Sequence, residues 1–313
     1  MTTIDVQKLI SGDIRTISRA ISRVENDPGH SDHLLTSIYP HVGSAYRLGV
    51  TGPPGSGKST LVDQLILHFR SAKLTVGVIS IDPTSPFTGG AVLGDRIRMA
   101  GHWDDRGVYI RSMASRGSLG GLAVNTQEAG DILDAAGMDV IVYETVGVGQ
   151  AELDIAQAAD TTLVVLVPES GDEVQALKSG LMEIADLFVL NKSDREGANK
   201  AYTELSSILE LGTESTGWEP RIIRTSALQS EGITELYTAI ESHKAFLAEH
   251  GDLRRKRQSR YKNRVEGVVR QRLTEMFWTS ERSDRLHEAL AGIDSMTQSP
   301  NALARELIAD LSL

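Results

Sequence analysis

Residues 48–69 read LGVTGPPGSGKSTLVDQLILHF, and the reading of this stretch decides the fold. A short apolar run leads into Gly52-Pro53-Pro54-Gly55-Ser56-Gly57-Lys58-Ser59, which satisfies G-x-x-x-x-G-K-[ST] in full. The amphipathic segment Thr60 to Phe69 follows directly. Strand, glycine-rich loop and helix in that order form the context in which this pattern cradles phosphate. Glycines let backbone N–H groups turn inward around phosphate oxygens, where side chains would block the approach. The new helix points its positive end at the same anion. Gly52, Pro54, Gly55, Ser56, Gly57 and Thr60 are therefore expected to line the phosphates of a nucleotide. Lys58 should reach the β- and γ-phosphates, and the Ser59 hydroxyl should ligate Mg²⁺.

Outward from this loop, short β-branched runs recur at 76–80, 108–112, 139–144, 162–167, 187–191 and 221–226, separated by helix-length segments. Continuous apolar strands alternating with helices predict an α/β fold, with a mostly parallel sheet covered on both faces. The class is that of a P-loop NTPase, and ligands of such sheets bind at the carboxyl ends of the strands. Upstream, Val6, Leu9, Ile10, Ile14, Ile17, Ile21 and Val24 recur at helical spacing. The expected organisation is a helical extension over 1–45, a nucleotide-binding domain over 46–240 and a helical segment over 241–313.

The run at 187–191 ends in Asn191-Lys192-Ser193-Asp194, an N-K-x-D pattern. The Asp194 carboxylate can accept from the N1–H and N2 amino groups of guanine, whereas adenine offers no such donor pair. Asn191 and the stem of Lys192 would support the ring. One strand later, Ser226 and Ala227 stand where a backbone contact to the guanine O6 is expected. Guanine is the base this pattern selects.

Two acidic positions offer metal ligands: Asp82, at the end of a strand, and Asp95, at the far end of the glycine-rich stretch DPTSPFTGGAVLGD. Residues 143–150, YETVGVGQ, occupy the place where a nucleotide hydrolase carries Asp-x-x-Gly, with Glu144 in place of the aspartate. One methylene longer than aspartate, Glu144 can hold a metal-bound water or orient an attacking one. Gly147 would sense the γ-phosphate through its N–H, and Gln150 follows. Lys58, Glu144 and Asp95 are the catalytic candidates; Ser59, Asp82, Asp95 and Glu144 form the candidate metal set. Phosphoryl transfer depends on positioning and charge neutralisation more than on a strong base.

GPPGSGKST, IDPTSPFTGGAVLGDRIRM, ETVGVGQAE, GDEVQALKSGLMEIAD and NKSD, in this order, resemble the MeaB/ArgK/MMAA family. The resemblance implies a GTPase chaperone for an adenosylcobalamin-dependent acyl-CoA mutase, gating cofactor loading and removing damaged cobalamin. It implies GTP and GDP as substrate and product, Mg²⁺ as cofactor, and a homodimer built on a C-terminal dimerisation arm over 241–313. It places Asp172, Gln175 and Lys178, in an additional switch segment, beside Gln150 as residues coupling nucleotide state to the mutase. The glutamate of ETVG is itself a feature of that family.

Bulk composition agrees with an ordinary soluble chain. Of 313 residues, 24% are charged, and the net charge of −10 disfavours nonspecific nucleic-acid binding. With no cysteine, disulfides, thiolate metal sites and cysteine nucleophiles are excluded. No apolar run reaches the length of a membrane span and no secretory signal is visible, so the expected location is the cytoplasm. Residues 254–264, RRKRQSRYKNR, hold seven basic residues and read as a solvated helix face. His30 and His33 lack the further ligands that a metal site needs, and Trp103, Trp218 and Trp278 read as packing residues. Two rival readings are a GTPase metallochaperone for nickel enzymes, which typically carries Cys- or His-rich ligands, and a nucleotide-switched scaffold with negligible hydrolysis.

Overall fold

Strands that are apolar on both faces need cover on both sides, and the chain supplies it from different segments. In the computed structural model the described residues are 4–26, 31–82, 100–102, 104–114, 124–145, 151–168, 180–212, 217–291 and 299–309. Seven strands, β1 (Tyr46–Thr51), β2 (Val76–Asp82), β3 (Val108–Ala114), β4 (Val140–Thr145), β5 (Thr161–Leu166), β6 (Leu187–Leu190) and β7 (Arg221–Arg224), form one sheet. The order is β3-β2-β4-β1-β5-β6-β7, and every neighbouring pair is parallel. β1 lies between β4 and β5, so the chain leaves it in one direction for β2 and returns to its other side with β5. That reversal is the switch point at which α/β sheets bind ligands, and the phosphate loop follows β1. The α/β P-loop architecture with helices on both faces is therefore the one read from the sequence.

Helices α1 (Val6–Ile10), α2 (Ile14–Asn26), α3 (Asp32–Ile38), α4 (Lys58–Ser71), α5 (Val124–Ala135), α6 (Ala151–Ala158), α7 (Ala198–Gly212) and α8 (Ile233–Glu249) surround the sheet. One face packs Leu61, Leu65 and Phe69 of α4 and Leu236 and Ile240 of α8 against Leu48, Val50, Val78 and Val142. On the other face, Ile17, Ile21 and Val24 of α2 and Ile132 and Leu133 of α5 pack against Ile79, Ile141 and Tyr143. Side chains alternate between these layers along each strand. Gly49 points to the second layer, where a Cβ would lie 3.1 Å from the Cβ of Ala159 and 3.3 Å from Ile155 of α6.

The helical spacing upstream belongs to two helices. Gly12 breaks the turn at φ +79°, and the Asp13 carboxylate restarts it by accepting from the N–H of Thr16 at 2.9 Å. Asp5 caps α1 in the same manner, accepting from the N–H groups of Gln7 and Lys8.

The amino-terminal edge of the sheet buries charge. Arg47 in β1 is 3% exposed and donates to Asp131 at 2.7 Å and Asp134 at 3.2 Å, both on α5. Burial pulls its guanidinium pKa down, but Tyr143, Asp131 and Asp134 together raise it further, so it remains charged. Asp134 also accepts from the N–H groups of Gly43, Ser44 and Ala45, tying the approach to β1 onto α5. Helix α9 (Asp252–Phe277) adds two cations to this edge. Lys256 reaches Asp186 at 3.0 Å, and Arg257 reaches Asp160 at 3.1 Å. Part of the basic run at 254–264 is thus an internal clamp, a correction to its reading as a solvated face. Asp186 lies 3.4 Å from His243, whose Nδ1 lies 2.6 Å from the Thr161 hydroxyl. That hydroxyl also hydrogen-bonds Tyr46. Trp218 closes over the group, its ring 4.6 Å from that of His243.

The described residues divide into two compact units, Met1–Arg257 and Gln258–Leu313. The second holds the rest of α9 with α10 (Ser280–Ala291) and α11 (Pro300–Ala309). Along α9, Tyr261, Val265, Val268, Val269, Leu273 and Met276 are exposed, recurring at short helical intervals. Among the described residues no helix is long and apolar enough to cross a membrane. His33 is exposed, while His30 and Trp103 lie outside the described residues.

His243 generates a prediction. Burial lowers its pKa from 6.5 to about 4, outweighing the opposite pull of Asp186, while Lys256 lowers it further. Between those pH values the unfolded chain takes up a proton that the folded one refuses, so stability drops as pH falls from 6.5 to about 4. His243→Gln should flatten this part of the profile. Over that window the wild type should lose roughly 2–3 kcal/mol more than the variant, measured by denaturant melts at several pH values.

Candidate nucleotide site

The loop at Gly52–Ser59 is confined by β5 and by the residue that follows β6. Gly52 has φ +137°, and a Cβ there would overlap the Val165 carbonyl of β5. Gly57, at φ +88°, abuts the side-chain amide of Asn191, which a Cβ would also overlap. Both positions demand glycine on two counts, conformation and space. Between them Pro54 and Gly55 are exposed and Ser56 is buried. The Lys58 ammonium is buried and donates to the loop carbonyls of Gly52 at 2.8 Å and Pro53 at 2.9 Å. Ser59 and Thr60 follow on the first turn of α4.

Glu144, the residue in the aspartate's place, is 3% exposed and comes to this first turn from the end of β4. The Ser59 hydroxyl donates to its Oε1 at 2.5 Å, and the Ser80 hydroxyl donates to its Oε2 at 3.3 Å. Next to them the hydroxyls of Thr51 and Thr145 share a hydrogen bond of 3.0 Å. A hydroxyl and a carboxylate converging where a strand ends and a helix begins make an all-oxygen donor pair, the chemistry a hard cation such as Mg²⁺ takes. Among the described residues no cluster of three or more His, Asp or Glu side chains suits a metal ion. Asp82 closes β2, but its side chain lies outside the described residues, as do Asp95, Gly147, Gln150, Asp172, Gln175 and Lys178.

At the base end, Asn191 is buried and directs its amide to two loops. Its Nδ2 donates to the Ser56 carbonyl at 2.8 Å. Its Oδ1 accepts from the N–H of Ala227 and from the Thr225 hydroxyl, each at 3.1 Å. Lys192 adopts φ +56°, and Ser193 is fixed by its N–H on the Thr225 carbonyl at 3.0 Å. Asp194 is exposed. The Ser226 hydroxyl, donating to its carboxylate, holds it below the usual carboxylate range, with help from Arg195 and Lys192. It is thus an exposed, ionised acceptor tied to Ser226.

Three features escaped the sequence reading. Ser80 touches Glu144; its only signal was a hydroxyl in an otherwise apolar run. Asp63, one turn after Ser59, lies 2.8 Å from His102. Arg70 on the same helix holds Asp105 at 2.7 Å. These two pairs dock the segment preceding β3 onto α4, and nothing in the local spacing announces them.

The Asn191 contacts generate a second prediction. Asn191→Ala would strand the buried Ser56 carbonyl and Ala227 N–H, each at a cost of about 1–3 kcal/mol. Thermal stability should fall, and affinity for guanine nucleotide, measured by calorimetry, should weaken at least roughly tenfold.

Comparison with known proteins places this geometry in a family. A family model described as methylmalonyl Co-A mutase-associated GTPase MeaB matches residues 17–282. GTPase ArgK of Escherichia coli is 35% identical over 313 residues, covering 96% of this chain and 94% of that protein. A Pyrococcus abyssi protein whose name includes GTPase is 52% identical over 267 residues, 84% of this chain and 82% of its own length. The methylmalonic aciduria type A homolog, mitochondrial, of Mus musculus is 37% identical over 238 residues, 75% of this chain and 57% of its own. A crystal structure described as LAO/AO transport system kinase superposes with a TM-score of 0.74 at 29% identity, covering 97% of this chain and 95% of that one. A loop ending in Lys58-Ser59, an N-K-x-D pattern at Asn191–Asp194 and a glutamate at position 144 are thus features of a chain that belongs to the MeaB family of methylmalonyl-CoA mutase-associated GTPases.

Proposed function

We propose that this protein hydrolyses GTP to GDP and phosphate in a Mg²⁺-dependent reaction. We assign it the role of a chaperone that gates cofactor loading into an adenosylcobalamin-dependent acyl-CoA mutase, methylmalonyl-CoA mutase or a close relative. The observation that carries the enzymatic part is the meeting of Ser59 and Glu144 at 2.5 Å, beside a complete phosphate loop. The mutase is the partner named in the family's description.

In this reading Lys58 exchanges its loop carbonyls for the β- and γ-phosphates. The N–H groups of Gly55 to Thr60 hold the phosphate chain, and Asn191, Lys192, Asp194, Ser226 and Ala227 hold the base. Ser59 and Glu144 would hold Mg²⁺, with Asp82 and Asp95 completing its surroundings; when bound, the ion neutralises charge that develops on the transferring phosphoryl group. Glu144 also orients the attacking water, and Gly147 senses the γ-phosphate. Gln150, Asp172, Gln175 and Lys178 couple nucleotide state to the mutase. The division into a helical extension over 1–45, a GTPase domain over 46–240 and an arm over 241–313 belongs to the same proposal. A homodimer through that arm is favoured by the exposed apolar row from Tyr261 to Met276, since a charged helix carrying such a row gains by covering it. The proposed location is the cytoplasm, with no role in nucleic-acid or membrane binding.

Two measurements test this. Single-turnover GTP hydrolysis at saturating Mg²⁺ should fall on the order of a hundredfold in Glu144→Ala; an unchanged rate removes Glu144 from the reaction. Phosphate release should accelerate when the mutase is added, and capture from cells grown with cobalamin should recover that mutase. Recovery of hydrogenase or urease components in its place would overturn the partner assignment.

A further inference from the structure

The carboxylate of Glu144 must be aimed as well as present. Rotation about its terminal bond is intrinsically loose, because such a torsion joins tetrahedral to planar carbon and has broad minima. Its direction therefore comes from hydrogen bonds on the two oxygens. Ser59 supplies one at 2.5 Å. The other is engaged by Ser80, a residue 1% exposed in the middle strand of three.

The register shows how Ser80 comes to be there. On the face of the sheet that packs under α4, successive rows across β3, β2 and β4 read Val108–Val76–Val140, then Ile110–Val78–Val142, then Ser112–Ser80–Glu144. Two apolar rows give way to a polar one at the carboxyl ends. Ser80 is the direct cross-strand neighbour of Glu144, and its hydroxyl crosses the gap to Oε2. Ser112, one strand further out, has a buried hydroxyl with no hydrogen-bond partner among the described residues. It resembles Ser80 in size and row but makes no bond to the carboxylate.

We infer that Ser80 is a positioning residue for the hydrolysis of GTP, holding the Glu144 carboxylate in the plane from which it serves Mg²⁺ and the attacking water. The inference rests on the proposed role of Glu144. Ser59 can ligate the ion through an oxygen lone pair and still donate its proton to Oε1. Ser80, bonded to Oε2, keeps the opposite oxygen in place. Hydrogen bonds to charged groups correspond to roughly a tenfold to hundredfold effect, and the 3.3 Å length of this one puts it at the lower end.

The test uses the full chain and three substitutions, Ser80→Ala, Ser80→Thr and Ser112→Ala, with kcat and KM for GTP measured at saturating Mg²⁺. A second readout, independent of hydrolysis, is the Mg²⁺ concentration that gives half-maximal retention of a fluorescent GDP analogue. Ser80→Ala should lower kcat roughly tenfold or more with KM unchanged, and should raise the Mg²⁺ requirement several-fold. Ser80→Thr, which keeps the hydroxyl, should restore both values, and Ser112→Ala should match the wild type in both. The inference is overturned if Ser80→Ala behaves as the wild type, if Ser80→Thr is as defective as Ser80→Ala, or if Ser112→Ala loses as much. Should the wild type bind nucleotide without hydrolysing it, the enzymatic reading fails while the Mg²⁺ titration still decides the role of Ser80.

Discussion

The side-chain amide of Asn191 is the contact on which the nucleotide site depends. Its donor end holds the phosphate loop at Ser56, and its acceptor end holds the loop after β7 at Ala227 and Thr225. The two loops come from segments far apart in the chain, and this one group sets the distance between them. An amide suits the task because it donates and accepts at once; a carboxylate would offer only acceptors to the Ser56 carbonyl. Gly57 completes the arrangement by leaving the amide room to approach.

The two edges of the sheet are built on opposite principles. At the carboxyl edge, Ser59, Ser80 and Glu144 meet, and Lys58 rests on the carbonyls of Gly52 and Pro53. At the amino edge, Arg47, Asp131 and Asp134 satisfy one another in the interior, and Lys256 and Arg257 neutralise Asp186 and Asp160 from the more open rim. Removing Asp131 or Asp134 would leave Arg47 as an incompletely compensated buried charge, so these three hold together. The amino edge thereby fixes the starts of β1, β5 and β6; the loop at Gly52–Ser59 follows β1 and Asn191 follows β6.

Much of this was legible because it rests on local patterns. The phosphate loop, the N-K-x-D loop and the seven strands each carry their signal within a few residues, and the strands fall within about two residues of the apolar runs. Glu144 was legible by its place in a motif, though its partners were not. Contacts between segments distant in sequence left little trace. Arg47 in β1 carries no local signal of its role, because its partners lie on α5. Lys256 and Arg257 looked like part of a solvated basic face, because Asp160 and Asp186 precede them by many residues. Ser80 was passed over because a serine in a strand is unremarkable until its neighbour in the sheet is known. The break at Gly12 was visible only as a glycine within a helical period.

The placement of β1 also governs the order in which the molecule is assembled. Thr51 at its end pairs with Thr145, 94 residues later, and Ser56 waits for Asn191, 135 residues later. As the ribosome delivers the amino-terminal end first, the phosphate loop is made early and acquires its walls late. Until β4 and β5 emerge, β1 has neither of its neighbours, and both sides of a strongly apolar strand are open to wrong pairing. Closure of this centre therefore comes from segments made long after the loop itself, the last of them, Asn191, only when most of the sheet has been synthesised.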